Sequence, residues 1–178
     1  MPGKWPNRLR DGWEYCFHLS KTRRPFFNPD NVRKPIGDWV NTRLNNLSEN
    51  DLIRHNSENK SGFGRNISKW LGKTTVLPSN VISLPLVGKN KGHPAVYPVD
   101  LPLFFIKLLS RKGNWVLDPF GGSGTTCIAA LSVGRKCILI DNNEDYCKVA
   151  RRRIKEELKA IDEDIRQLQL FEEKAKYK

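Results

Sequence analysis

Apolar positions are sparse and broken in the first half of this chain and periodic in the second. "WEYCFHLSK" (Trp13–Lys21) alternates apolar and polar residues and predicts a strand, stopped by Pro25 and Pro29. Residues 30–92 are mixed. Trp39 and Trp70 mark some core there, "SENKSGFGRNISK" (Ser57–Lys69) reads as a basic loop with two glycines, and "VISLPLV" (Val81–Val87) is a short apolar segment interrupted by Pro85. From Asp100 the pattern sharpens. Asp100 is placed to cap a helix that tolerates Pro102 in its first turn, with Phe104, Phe105, Leu108 and Leu109 as its buried face. "NWVLDPF" (Asn114–Phe120) predicts a buried strand, "GGSGTT" a turn, and a small-residue helix runs from about Thr125 to Ser132, ending near Gly134. "KCILID" (Lys136–Asp141) predicts a second buried strand. Asn142 or Asn143 caps a final helix along which Tyr146, Ala150, Ile154, Leu158, Ile161, Ile165 and Leu168 recur every three or four residues, carrying it past Leu158 into the charged tail. Strand, glycine turn, helix, strand, helix is half of a doubly wound α/β sheet, a partial Rossmann-like fold.

Charge adds a partner to this picture. The formal net charge is +12, and residues 1–92 hold 16 Lys/Arg against 7 Asp/Glu. A basic surplus concentrated in one half points to an anionic partner, with nucleic acid first and a merely soluble basic surface as the plain alternative. The four cysteines (Cys16, Cys127, Cys137, Cys147) form no Cys-x-x-Cys pair and have no histidine at ligand spacing, so reduced thiols are expected, with no metal and no disulfide framework. No apolar run reaches the roughly 20 residues of a membrane span, and the polar, basic start is unlike a signal peptide, which predicts a cytoplasmic protein. Trp39, Trp70 and Trp115 are read as core residues for the apolar area they carry.

"VLDPFGGSGTT" (Val116–Thr126) is the candidate chemistry. A phosphate loop needs a lysine after its last glycine, and none follows Gly124. A dinucleotide turn wants Gly-x-Gly-x-x-Gly, and Cys127 stands where the third glycine belongs. An S-adenosylmethionine turn fits better. There the glycines let the backbone approach the methionine end, Asp118 at the strand end can take the ammonium, and Asp141 at the next strand end can accept the ribose hydroxyls. A tight turn that binds nothing is the bland alternative, weakened by an acid at both strand ends.

"DPFGGSGTT" closely resembles the S-adenosylmethionine motif of the amino-group DNA methyltransferases, which modify adenine N6 or cytosine N4. "HPAVYPVDLPLFFIKLLS" (His93–Ser110) resembles the segment that precedes this motif, and "CILIDNNEDYCKVARRRI" (Cys137–Ile154) the strand and helix that follow it. "WPNRLRDGWEYCFHLSK" (Trp5–Lys21) is similar to the region just after the family's catalytic half. The block order is that of the circular arrangement, with catalysis first and the cofactor turn last. The resemblance implies a cofactor site of His93, Pro94, Ala95, Asp118, Pro119, Phe120, Gly121, Gly122, Ser123, Gly124, Thr125, Asp141 and Asn142. It implies a division into a basic segment and core strand (1–24), a target-recognition region (25–92), a cofactor-binding half (93–160) and a charged helical tail (161–178).

The family's catalytic tetrapeptide, Asp/Asn/Ser-Pro-Pro-Tyr/Phe/Trp, is absent from the sequence. Two acceptors must localise the lone pair of a conjugated amine, and an aromatic ring must stack on the flipped base. Of the 11 prolines, no two are adjacent. No catalytic residue is therefore assigned. A split enzyme with a complementing catalytic chain, a fragment of a longer enzyme, or a remnant that no longer catalyses would each accommodate this, and "MPGKWPNRLRDGW" reads as mid-domain sequence, favouring the first two. A non-catalytic DNA-binding subunit keeping the fold is the rival reading. Without further strands, the Val116–Leu117 strand would present an unpaired apolar edge. Arg8, Arg10, Lys21, Arg23 and Arg24 near Trp5 and Trp13, with Lys60, Arg65 and Lys69 on the glycine loop, are the candidate phosphate contacts on double-stranded DNA. "RRRIKEELK" (Arg151–Lys159) is read as the solvated face of the last helix.

Overall fold

The computed structural model describes residues 12–38, 45–46, 72–85 and 97–175, with side chains through Gln167 in the last helix. Its body is one β-α-β unit flanked by two helices. Helix α1 is Asp100–Leu109, strand β3 is Trp115–Asp118, helix α2 is Thr125–Ser132, strand β4 is Lys136–Leu139 and helix α3 is Glu144–Ala175. A short antiparallel pair, β1 (Lys34–Pro35) with β2 (Thr75–Val76), lies apart from it in the chain. β3 and β4 pair in parallel, with Val116 opposite Cys137 and Leu117 opposite Ile138. Fold class and the order of elements from α1 to α3 match the expectation from the sequence.

Local chemistry explains the boundaries. Gly113, at φ +83°, turns the chain from α1 into β3 and donates its N–H to the Gly134 carbonyl at 2.8 Å, which aligns the starts of both strands. α2 ends on Gly134 at φ +71°, where the Arg135 N–H reaches the Ala130 carbonyl and the Gly134 N–H the Leu131 carbonyl. That pair of bonds is the Schellman motif, which satisfies carbonyls the helix end would leave open. Asn143 caps α3, as one of the two expected candidates. Its Oδ1 accepts from the N–H groups of Asp145 and Tyr146 at 2.9 and 3.2 Å. At the C-terminal end of α1 the Asn28 N–H bonds to the Leu108 carbonyl at 2.8 Å and the Asn31 amide to the Lys107 carbonyl at 3.0 Å, so a 3-10 turn at Pro29–Val32 seals this helix.

The core is small and one-sided. Ile106 of α1 and Ala129 and Ala130 of α2 are buried together, with Leu103, Val116, Val133 and Cys137 against them. The other face of the sheet carries Trp115, Leu117, Ile138 and Ile140, all exposed. The two strands expected to be buried are therefore covered on one face only, and Trp115 is a surface residue at 63% exposure rather than core. Among the described residues β3 pairs with β4 alone.

Other expectations fail for physical reasons. Trp13–Lys21 forms no strand: period-two alternation specifies a face, but a strand also needs a neighbour to bond, and none pairs with it among the described residues. The alternation still places its rings together, Trp13 with Tyr15 at 4.3 Å between centroids and Tyr15 with Phe17 at 5.9 Å. Asp100 is the first residue inside α1, which starts after Val99 with no side-chain cap. The carboxylate still sits favourably beside the positive helix end. The buried side of α1 is Pro102, Ile106 and Leu108, with Phe104, Phe105 and Leu109 half-buried. Cys127 and Cys137 are joined as a disulfide, against the expectation of free thiols. The link spans the helix–strand crossover, so residues ten apart in sequence face each other across the α2–β4 contact, which linear spacing rules do not capture. Cys16 and Cys147 are free. Trp39, Trp70, the Ser57–Lys69 loop and the end of the Val81–Val87 segment lie outside the described residues.

Candidate cofactor site

The site is the loop between β3 and α2, and each of its side chains arrives from a different element. β3 ends in Asp118. Its Oδ1 accepts the Phe120 N–H at 3.0 Å, and its Oδ2 accepts the hydroxyl of Thr126, in the first turn of α2, at 2.5 Å. One carboxylate thus spans the turn from entry to exit. An ionised carboxylate offers about four acceptor positions, so these two bonds orient Asp118 without exhausting it.

The turn itself needs glycine. Gly122 and Gly124 have φ of +49° and +85°, where a Cβ is strained. A Cβ on Gly121 would lie 2.1 Å from Leu139 Cγ of β4. The Gly124 N–H closes the turn on the Gly121 carbonyl at 2.8 Å, and the Gly121 N–H reaches the Ile140 carbonyl, also at 2.8 Å. Gly121, Gly122, Gly124 and Thr125 are buried and Ser123 is half-buried. The Cβ that Gly121 lacks would fall on β4 and the one that Gly124 lacks on Ala150 of α3, so these two glycines let the turn pack closely against its own neighbours.

Asp141, just past β4, closes the far side. Its Oδ2 accepts the Gly122 N–H at 2.7 Å and its Oδ1 the Asn143 N–H at 2.8 Å. The same carboxylate holds the glycine turn and leads the chain into the cap of α3. The two acids picked from the sequence, 23 residues apart, therefore meet on one turn. Pro119, Phe120 and Asn142 are exposed beside it, Phe120 at 88%. His93, Pro94 and Ala95 lie outside the described residues.

Two side chains missed by sequence reasoning complete the network. The Tyr97 and Thr126 hydroxyls share a hydrogen bond at 2.7 Å, so the segment entering α1 is tied through Thr126 to Asp118. Partial burial raises the Tyr97 phenol above its ordinary value; the Thr126 bond opposes this and the Asp118 charge adds to it. Tyr97 therefore stays protonated at neutral pH. Arg153 of α3, placed by its sequence on a solvated face, is half-buried. Its Nη1 donates to the Ser123 carbonyl at 2.7 Å and to the Ser123 hydroxyl at 2.8 Å. Helical periodicity could have found it, because Arg153 follows the buried Ala150 by three residues and shares its face.

Of the candidate DNA contacts, Lys21, Arg23 and Arg24 are exposed around a bend at residues 21–24. Arg8, Arg10, Lys60, Arg65 and Lys69 lie outside the described residues. Among the described residues there is no cluster able to hold a metal ion and no helix long and apolar enough to cross a membrane.

A glycine turn held between two strand-end acids matches the family resemblance read from the sequence, and a family comparison decides the assignment. The family model described as DNA methylase, of the N6/N4 type, matches residues 1–152. The chain belongs to this DNA methylase family. Type II methyltransferase M.PvuII of Proteus hauseri is 30% identical over 164 residues, 82% of this chain and 47% of its own length. Type II methyltransferase M.SmaI of Serratia marcescens is 27% identical over 157 residues, 86% of this chain and 43% of its own. Type II methyltransferase M.BglI of Bacillus subtilis reaches 45% over 71 residues, 40% of this chain and 20% of its own. The chain thus spans half or less of these relatives. Among solved structures, PvuII DNA methyltransferase, titled cytosine-N4-specific, is 31% identical over 48% of this chain and 33% of that one, with a TM-score of 0.40. The M1.HpyAVI complex with S-adenosylmethionine is 34% identical over 36% of this chain and 33% of that one, with a TM-score of 0.34.

Proposed function

We propose that this chain is the S-adenosylmethionine-binding and target-recognition part of a DNA amino-methyltransferase acting on adenine N6 or cytosine N4. The observation that carries the reading is the convergence of Asp118 and Asp141 on one glycine turn, each with both carboxylate oxygens bonded. When bound, S-adenosylmethionine supplies an electrophilic methyl group. Asp118 would hold its ammonium, the Gly121–Gly124 backbone, with Ser123 and Thr125, its methionine end, and Asp141 with Asn142 its ribose. Pro119 and Phe120 would shape the mouth, and His93–Ala95 would line the pocket from the other side. The residues fit this group: Asp118 is pre-oriented by Phe120 and Thr126 before any ligand arrives and keeps acceptor capacity to spare.

The acceptor side is proposed from charge. Lys21, Arg23 and Arg24, with Arg8, Arg10, Lys60, Arg65 and Lys69, would bind phosphates of double-stranded DNA and position the duplex. The division at residues 24, 92 and 160 then separates a core strand, target recognition, cofactor binding and a helical tail. Preparation of the target amine would fall to a Pro-Pro-Tyr-type segment that this sequence does not contain, acting on a flipped base. We place the protein in the cytoplasm, on the same side of the membrane as a DNA substrate.

Ultraviolet cross-linking of tritiated S-adenosylmethionine to the full chain, followed by peptide mapping, tests the site. Label within residues 93–142 is expected; label confined elsewhere overturns the assignment. The chain alone should transfer no tritium to DNA, and robust transfer would show that the amine-activating group lies within it.

A further inference from the structure

We infer that Arg153 is the positioning residue of the cofactor turn. The inference rests on the cofactor reading above and adds a residue from the far side of the turn to it. The Arg153 guanidinium reaches across from α3 and donates through Nη1 to the Ser123 carbonyl at 2.7 Å, the Ser123 hydroxyl at 2.8 Å and the Thr125 hydroxyl at 3.4 Å. Ser123 lies between the two glycines of positive φ, the part of the turn with least conformational restriction of its own. Fixing the Ser123 carbonyl toward α3 fixes the peptide plane whose N–H, on Gly124, closes the turn on Gly121. Asp118 holds one end of the turn, Asp141 the middle and Arg153 the apex.

The location is not one that helix stability selects. Thr125 opens α2, and a cation beside a helix N-terminus opposes the helix dipole. Arg153 accepts that unfavourable placement and is compensated by charge-assisted bonds to the turn. Its neighbours Arg151 and Arg152 are exposed, so this is one residue selected from a basic run. The contact is tight elsewhere too: a Cβ on Gly124 would meet Ala150 Cβ at 3.1 Å, one helical turn before Arg153. α3 is thereby the wall against which the cofactor turn is shaped.

The test compares R153M, R153K, S123A and R152M in the full chain by calorimetric titration with S-adenosylmethionine, with peptide-level hydrogen exchange of the unliganded proteins. R153M should weaken binding about tenfold, R153K and S123A about threefold each, and R152M, which removes the same charge from an exposed site, less than about twofold. Exchange in a peptide covering residues 119–126 should quicken at least about threefold in R153M while residues 100–109 keep their protection. R153M binding like the parent with unchanged exchange in the turn would overturn the inference. So would uniform loss of protection with R153K no better than R153M, which would make Arg153 a general tether. If R153M fails to fold, S123A carries the test, since it keeps the carbonyl and removes one acceptor. Failure of the parent chain to bind would sink the cofactor reading, while the exchange comparison would still decide whether Arg153 orders the turn.

Discussion

Gly124→Ala separates two costs that the structure assigns to one glycine. Gly124 sits at φ +85°, and a Cβ there would lie 3.1 Å from Ala150 Cβ and 3.3 Å from Ala150 Cα. The left-handed backbone costs an L-residue about 1–2 kcal/mol. Ala150 is 1% exposed and one of the two close atoms is backbone, so relief requires α3 itself to give by a few tenths of an ångström. Overpacking of that kind adds about 1–3 kcal/mol, for a total of roughly 2–5 kcal/mol. Gly113 is the matched control, with φ of +83° and nothing within 4 Å of its added Cβ. Gly113→Ala should therefore cost strain alone, about 1–2 kcal/mol. In urea unfolding followed by circular dichroism, with a slope of about 2 kcal/mol/M, the midpoint should fall by roughly 1–2.5 M for Gly124→Ala and about 0.5–1 M for Gly113→Ala. Equal shifts in the two variants would refute the argument that the turn is pressed against α3.

Three further outcomes follow from particular contacts. The raised Tyr97 phenol is neutral when protonated, so its contribution to stability is present below pH 10.0 and is lost as pH rises through its higher folded-state value. Thermal melts at about pH 9 and 11 should show a smaller alkaline loss in Tyr97→Phe than in the parent; equal losses would contradict the coupling to folding. Asn143→Ala removes the acceptor for two N–H groups at the start of α3 and should cost about 1 kcal/mol by urea unfolding, with no change refuting its role as cap. Replacing Lys21, Arg23 and Arg24 together with alanine should reduce the salt dependence of duplex DNA binding by about two to three units of log–log slope, measured by fluorescence anisotropy; an unchanged slope would remove this bend from the DNA interface.

The parts legible in the sequence are those specified by neighbours along the chain. The glycine turn, the small-residue helix after it, the Asn143 cap and the strands at 115–118 and 136–139 depend on local rules, and the structure has them where those rules put them. The acids at 118 and 141 were also legible, because parallel strands joined by a helix bring their ends to one rim. What failed depends on distant partners. Trp13–Lys21 has the alternation of a strand but no neighbour to bond among the described residues, and Trp115 has the size of a core residue but stands on the uncovered face of the sheet. Arg153 looked solvated because charge alone sets that default, while its helical position turns it onto Ser123. The Cys127–Cys137 pair is visible only once α2 is folded back on β4.

Titration calorimetry of the full chain with S-adenosylmethionine, beside Asp118→Ala and Asp141→Ala, tests the central claim most directly. The account predicts one site in the parent and affinity at least about tenfold weaker in each variant, from the loss of a charged or paired hydrogen-bond acceptor. Binding by both variants with parental affinity would contradict it, as would no binding by a parent chain that is folded.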